Sequence, residues 1–291
     1  MIYEFKNVTS ENCISLIQFY AKYGDRSFSW YEKKLKDDII SGIVIGKFCT
    51  INNSEIVAAY LGKIQSLISN PSLKSVQSID TLVAPSHRGG HILIKLAKEF
   101  YEHLKIKSFD CVFGLPNKKI EKFRYKFLNW NLSRPTYSYT VFVPIFLLRL
   151  FYYFIKLFIK KKKFFNFSQD KIYNLKKNIK INKFCKENEN NGAYWISSEN
   201  FYFTFIGLCR GGRKLNVFEK FIFLSIIASF SKGFFLKTYS TEETQTASIF
   251  KTFSIKKKGL NFSGIILSNN SKLSFGEQSL EFIEFDTFGL L

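Results

Sequence analysis

The run Asp80-Thr81-Leu82-Val83-Ala84-Pro85-Ser86-His87-Arg88-Gly89-Gly90-His91-Ile92 decides how the rest of this chain is read. Ser75 to Val83 predicts a strand, and Pro85 breaks the pattern. From His91 to about Lys105, Ile92, Ile94, Leu96, Phe100 and Leu104 supply the apolar face of a predicted helix. A strand that passes through Arg88-Gly89-Gly90 into a helix gathers main-chain N–H groups at the helix start. Glycine lets a ligand approach those groups closely, and the helix dipole favours an anion there. The turn is neither a Walker loop nor a GxGxxG fingerprint. On its own, a plain structural turn is the competing reading.

Working outward, Asn12 to Tyr23 predicts a helix, and Ile43 to Thr50 with Glu55 to Gly62 predicts a hairpin turning at Ile51-Asn52-Asn53-Ser54. Phe109 to Leu115 predicts a short strand, and Asn117 to Asn129 a second helix ending at Trp130. Helix, hairpin, strand, glycine turn, helix, strand, helix is an α/β order.

Asp80 to Gly90 resembles the coenzyme A loop of the GNAT N-acyltransferase superfamily, where a strand ends in V-x-P-x-x-R-G-x-G before a helix. Phe113-Gly114-Leu115-Pro116-Asn117 resembles the FGFPN strand end of one GNAT branch. Leu128-Asn129-Trp130 is similar to its LGW, and Phe28-Ser29-Trp30-Tyr31 to its F-x-W-x-Y. That branch is often associated with surface-polysaccharide synthesis. One position departs: the last glycine of the loop is replaced by His91. Either Gly90 takes over its role or diphosphate binding is weakened.

The resemblance implies a GNAT-like mixed central sheet flanked by helices over residues 1 to 137, and acetyl-CoA as acyl donor; with no further His or Cys at ligand spacing beside His87, His91 and His103, no metal is expected. It implies a donor-binding set of Leu82, Val83, Arg88, Gly89, Gly90, His91, Ile92 and Asn117. The amide of Leu82 or Val83 would face the thioester oxygen, and residues 88 to 92 would hold the diphosphate. Asn117 is an N-cap by residue type and a pantetheine contact by resemblance. Asp80 is the candidate proton acceptor, or else a carboxylate that orders the loop. Tyr125 is the candidate acid for the leaving thiolate, or else a packing tyrosine. His87 and His91 flank the loop as further acid–base candidates.

The chain has 291 residues, with 46% hydrophobic residues, 34 Phe and 15 Tyr, enough for a large core and incompatible with disorder throughout. Five scattered cysteines without a CxxC pair argue against a disulfide framework or a zinc site and fit a reducing, cytoplasmic setting. The net charge is +20, a balance that suggests a polyanionic partner, either nucleic acid or an anionic membrane surface. Residues 138 to 186 form a basic, apolar helical insertion in which Val141 to Ile159 precedes Lys160-Lys161-Lys162-Lys163. Arg149 and Lys156 interrupt that stretch seven residues apart, on one helix face. A helix lying peripherally on an anionic membrane fits this better than a span, with packing on the protein as the alternative. Nucleic acid is disfavoured because no groove-reading element accompanies the lysines.

Residues 187 to 291 are expected to form a second GNAT-like lobe. Its predicted elements are a strand pair from Tyr194 to Leu208, a helix from Val217 to Ser229, and a strand from Phe234 to Tyr239. A helix from Thr241 to Lys257, capped by Thr241 or Ser240, and strands at Phe262 to Ser268 and Leu280 to Phe285 complete it. No glycine loop is expected at the place corresponding to Arg88-Gly89-Gly90, which leaves this lobe acceptor binding or support; Asp286 is a further candidate near the site. The expected function is N-acyl transfer to an amine, most specifically of an amino sugar in surface-glycan assembly. The alternative is a catalytically inactive GNAT-fold protein that assembles at a membrane.

Overall fold

The computed structural model describes residues 2–52, 54–65, 72–89, 91–158, 166–168, 179–185, 193–199, 202–210, 216–229, 231, 233–242 and 244–268. Gly90, Lys160 to Lys163, Leu280 to Phe285 and Asp286 lie outside the described residues. The chain divides into two units: residues up to Arg134 together with the described residues from Asn261 onward, and a second from Pro135 to Leu260.

In the first unit the strands lie in the order β1 (Tyr3–Asn7), β2 (Val44–Ile51), β3 (Glu55–Ile64), β4 (Ser75–Val83), β5 (Cys111–Gly114), then the later residues of β12 (Ser254–Ile266). All neighbours are antiparallel except β4 and β5, which are parallel. Alternation along β3 divides the core. Ala59 and Leu61 face α1 (Cys13–Tyr23) and α2 (Phe28–Ile40), whereas Ala58 and Tyr60 face α3 (His91–Ile106). Leu16, Ile17, Tyr20, Tyr31, Leu35 and Ile39 fill the first layer; Leu96, Phe100 and Leu104 fill the second. After β5 comes α4 (Lys118–Phe127), started by Asn117, whose Oδ1 accepts from Lys119 N and Ile120 N at 3.1 and 3.0 Å.

In the second unit, β6 (Asn131–Val141) is followed across the sheet by β11 (Phe235–Thr241), β10 (Phe203–Arg210), β9 (Ala193–Glu199), β8 (Ile179–Cys185) and β7 (Asn166–Ser168). Only β10 and β11 are parallel, and α6 (Val217–Ser229) connects them. The plan matches that of the first unit, with a parallel pair bridged by a helix after three antiparallel strands. Leu148 of α5 (Ile145–Phe158), Leu224 and Ile227 of α6, and Phe250 of α7 (Gln245–Phe250) share its buried core.

The polar stretch from Phe28 onward conceals α2, because Glu32, Lys33, Lys36, Asp37 and Asp38 outnumber its inward residues Tyr31, Lys34, Leu35 and Ile39. Two sequence expectations need correction. The helix expected from Thr241 to Lys257 contracts to α7, capped by Thr244, and β12 starts at Ser254. Glu242, expected in its first turn, instead meets Lys251 and Lys256 at 3.1 and 2.8 Å. Strand pairing thus overrides the local helix preference of the lysine run. Arg149 does not join an outward cationic face: its guanidinium donates to the carbonyls of Ala228 and Ser231 at the end of α6. A cation there meets carbonyls left open by the helix and the negative end of its dipole. Among the residues of α5 whose side chains are described, the exposed ones are apolar, namely Phe146, Leu147, Leu150, Tyr153 and Phe154; the Lys156 side chain lies outside that set. Among the described residues, no helix is long and apolar enough to cross a membrane.

Candidate functional site

β4 and β5 pair only where Ser75, Val76 and Gln77 lie beside Cys111, Val112 and Phe113. Beyond Gln77 the ladder to β5 ends while β4 continues to Val83. On its other edge, β4 inserts one extra residue against β3, since Leu61 pairs with Ile79 but Ala59 with Leu82. A bulge breaks the two-residue alternation of side chains.

Asp80 sits in this bulge with φ +32°, a left-handed conformation costing a non-glycine residue about 1–3 kcal/mol. Its carboxylate meets Lys34 Nζ at 2.7 Å, with the two side chains 17% and 6% exposed. The Tyr20 hydroxyl donates to the Asp80 carbonyl. Burial, and then the Asp80 charge, push the Tyr20 phenol well above its ordinary range, so it stays a donor. Asp80 is therefore turned toward α2, while its neighbour Thr81 and Ser78 face Arg124 on α4.

Leu82 and Val83 are told apart by the strand geometry. The Ala84 amide donates to Val57 O at 2.8 Å, so the Ala58–Val83 pair is a non-hydrogen-bonded one. The N–H and C=O of Val83 consequently point away from β3, on the side where β5 has ended. Arg88 Nε donates to that Val83 carbonyl at 3.2 Å. The Leu82 amide lies on the β3 side.

A single 3-10 turn, Pro85–His87, leads from β4 toward α3. His87 Nδ1 lies 3.1 Å from the Tyr3 hydroxyl. Arg88, Gly89 and His91 are exposed, and a Cβ built on Gly89 meets nothing within 4 Å. Among the described residues, no oxygen accepts from the amides of Gly89, His91 or Ile92, as expected for the open start of a helix. The first turn of α3 carries no acid.

On α4, Tyr125 is 70% exposed, and the adjacent Arg124, 5% exposed, is the residue that turns inward. Beyond the β4–β5 ladder lie Val83, with Arg88 on its carbonyl, and Arg124, held to Ser78 and Thr81; Gly89, His91 and Ile92 follow at the start of α3, Asp80 is turned to Lys34, and Tyr125 is exposed. Lys34 and Arg124 were missed in the sequence, although each is a cation on the inward stripe of an otherwise apolar helix face. Burial pushes the Cys111 thiol up to about 12 and the Cys49 thiol up to about 11, so neither supplies a thiolate nucleophile near neutral pH. Among the described residues, no group of three or more His, Cys, Asp or Glu could hold a metal.

No family model matches the chain, and no curated protein does. Solved structures do. A GCN5-related N-acetyltransferase from Kribbella flavida is similar with a TM-score of 0.63 and 9% identity over 91% of this chain and 71% of that one. A probable N-acyltransferase from Enterococcus faecalis gives 0.64 and 9% over 92% and 73%. A tandem GNAT protein from the clavulanic acid biosynthesis pathway gives 0.54 and 8% over 93% and 100%. The fold is that of the GNAT acyltransferases. Its tandem form accounts for the repeated plan of the two units. It also corrects the reading of the last region, because Arg210-Gly211-Gly212-Arg213 stands between β10 and α6, where Arg88-Gly89-Gly90 stands between β4 and α3 in the first GNAT unit.

Proposed function

We propose that this protein is an acyl-CoA-dependent N-acyltransferase, using acetyl-CoA and acting on an amine. The observation that carries the proposal is the start of α3: exposed, without an acid, and with no acceptor among the described residues for the amides of Gly89, His91 and Ile92. Such a helix start suits the diphosphate of coenzyme A. One strand residue back, the Val83 amide is the donor for the thioester oxygen, where negative charge develops as the amine attacks. Most of the rate gain comes from holding a neutral amine against the carbonyl carbon. The Lys34–Asp80 pair holds the bulge that aims Val83, a positioning role, and the amine proton leaves through water. Asn117 starts α4 and has its side-chain amide left for the pantetheine arm.

Titration calorimetry with acetyl-CoA tests this reading. The wild-type chain binds, and Gly89→Val, which fills the open space beside those amides, weakens binding at least tenfold. No binding by the wild type ends the proposal.

The acceptor we infer is an amino sugar in surface-polysaccharide synthesis, supported by the resemblance of Phe113 to Asn117 and of Leu128 to Trp130 to one GNAT branch. Labelled acetyl-CoA offered with a panel of amino-sugar nucleotides identifies it, and absence of transfer to all of them removes that acceptor class. Peripheral contact with an anionic membrane has its own support: Phe146, Leu147, Leu150, Tyr153 and Phe154 form an exposed apolar face of α5, followed in sequence by Lys160 to Lys163. Flotation with phosphatidylserine vesicles, lost in Leu150→Glu, is the expected result, and equal flotation of the variant excludes that face. A second reading, a GNAT-fold assembly protein without catalysis, draws on Asp80 being tied to Lys34 and Tyr125 being exposed. Acetyl-CoA binding without transfer to any amine would favour it.

A further inference from the structure

Where β4 and β5 part, α4 delivers a charge that its surroundings do not balance. Arg124 Nη2 donates to Ser78 Oγ at 2.7 Å and Thr81 Oγ1 at 3.3 Å on β4. Its Nη1 lies 3.3 Å from the point where a side chain at Gly114 of β5 would begin. The guanidinium therefore reaches from one wall of the parting to the other, and glycine at 114 leaves it room. It is fixed over the Trp130 ring, 4.2 Å from the centroid, with Tyr60 at 5.6 Å.

The ionisable groups around it have partners of their own. Tyr60 on β3 and Tyr101 on α3 share a hydroxyl contact of 2.9 Å, and Trp130 Nε1 donates to Tyr101 at 2.8 Å. Burial, and then Tyr60, push the Tyr101 phenol well above its ordinary range, so it carries no charge. The bulge turns Asp80 to Lys34, and Glu121, one turn back on α4, accepts from Asn261 at 2.9 Å. Among the described residues, no carboxylate forms an ion pair with Arg124. A cation buried to 5% exposure among hydroxyls and rings is costly to keep without an anion.

We propose that Arg124 is a catalytic residue that stabilises the leaving thiolate of coenzyme A. The inference rests on the acyl-CoA reading above. In the transfer the amine nitrogen bonds to the thioester carbon, the carbon–sulfur bond breaks, and its electron pair stays on sulfur. The amine proton passes to water. The guanidinium keeps its own protons and meets the sulfur anion electrostatically, so no acid is needed at the position of the exposed Tyr125.

The test needs no acceptor. Free CoA is bound to the whole protein, and the thiolate absorbance is followed against pH, with the desulfo-CoA complex as reference. In the wild type the bound thiol is expected to titrate about one to three pH units below free CoA. Arg124→Met is expected to lose that depression; at about pH 6, where CoA is bound as the neutral thiol in both proteins, it binds CoA within about threefold of wild type, because the diphosphate sits at α3. Arg124→Lys, which keeps the charge, retains a depression. A wild-type complex whose thiol titrates like free CoA overturns the proposal while leaving the acyl-CoA reading intact, and it does so without any variant. An equal depression in Arg124→Met overturns it as well. Failure of the wild type to bind CoA removes the reading beneath it.

Discussion

The strand-to-helix passages β4–α3 and β10–α6 share one plan and differ in chemistry. Each runs from the first strand of a parallel pair, past an Arg-Gly-Gly sequence, into a helix that returns to the second strand. Each first strand also carries a one-residue bulge: Asp80 lies within that of β4, and Gly207 is the residue skipped in β10. At the helix starts the two diverge. On α6, Glu219 N donates to Asn216 Oδ1 at 2.8 Å and Asn216 N donates to Glu219 Oε2 at 2.9 Å. This reciprocal cap occupies donors and puts a carboxylate where a diphosphate would sit. On α3 neither device is present among the described residues. A shared topology thus carries an anion-ready helix start in one unit and a self-capped one in the other.

The largest expected effect concerns the bulges. Lys34→Met leaves the Asp80 carboxylate without its ammonium, and stability falls by about 3 kcal/mol in urea unfolding. Adding Asp80→Gly gives β4 the residue type that β10 has, removes the charge and relieves the positive φ, so part of the loss returns. A double variant no more stable than Lys34→Met would break the comparison.

Next comes the charge at the helix start. His91→Glu places on α3 an acid like that of α6, and acetyl-CoA affinity measured by calorimetry drops about tenfold, or ~1.4 kcal/mol. Thermal stability holds or rises slightly, since an acid suits a helix N-terminus. The converse change, Glu219→Ala, costs about 1 kcal/mol in unfolding and leaves acetyl-CoA affinity unchanged.

The smallest effect lies at the far end of α3. Burial, then Lys107 and Lys47, push His103 below the usual 6.5. Between its native and unfolded values, the unfolded chain binds a proton that the native one refuses, so stability is full above 6.5 and declines as pH falls toward the native value. His103→Gln flattens that decline in unfolding curves taken between about pH 7 and 5. The last turn of α6 has no basic residue and contributes no such slope.

Much of the fold was legible because its elements are locally encoded. The helix read from Val217 to Ser229 has those bounds, and the strand read from Ser75 to Val83 is β4. Apolar periodicity and proline are short-range signals that survive folding. α2 was hidden because its inward face is thin and carries Lys34. The α7 region misled because Lys256, Lys257 and Lys258 favour helix locally while strand pairing claims them. Of the candidate site, the glycine turn was legible and the division between Leu82 and Val83 was not, since it depends on which amide β3 engages.

The sequence alone determined most of the order of elements in the first unit, the glycine-bearing turn before α3, the cap Asn117, and the concentration of lysine in the middle of the chain. Each depends on neighbours within a few residues. Only the tertiary structure decided that Asp80 turns to Lys34, that Val83 faces the parting of the strands, and that Arg124 rather than Tyr125 is buried against β4. One inserted residue in β4 reverses which face every later side chain occupies, and its position is defined by pairing with β3, a partner about twenty residues earlier in the chain.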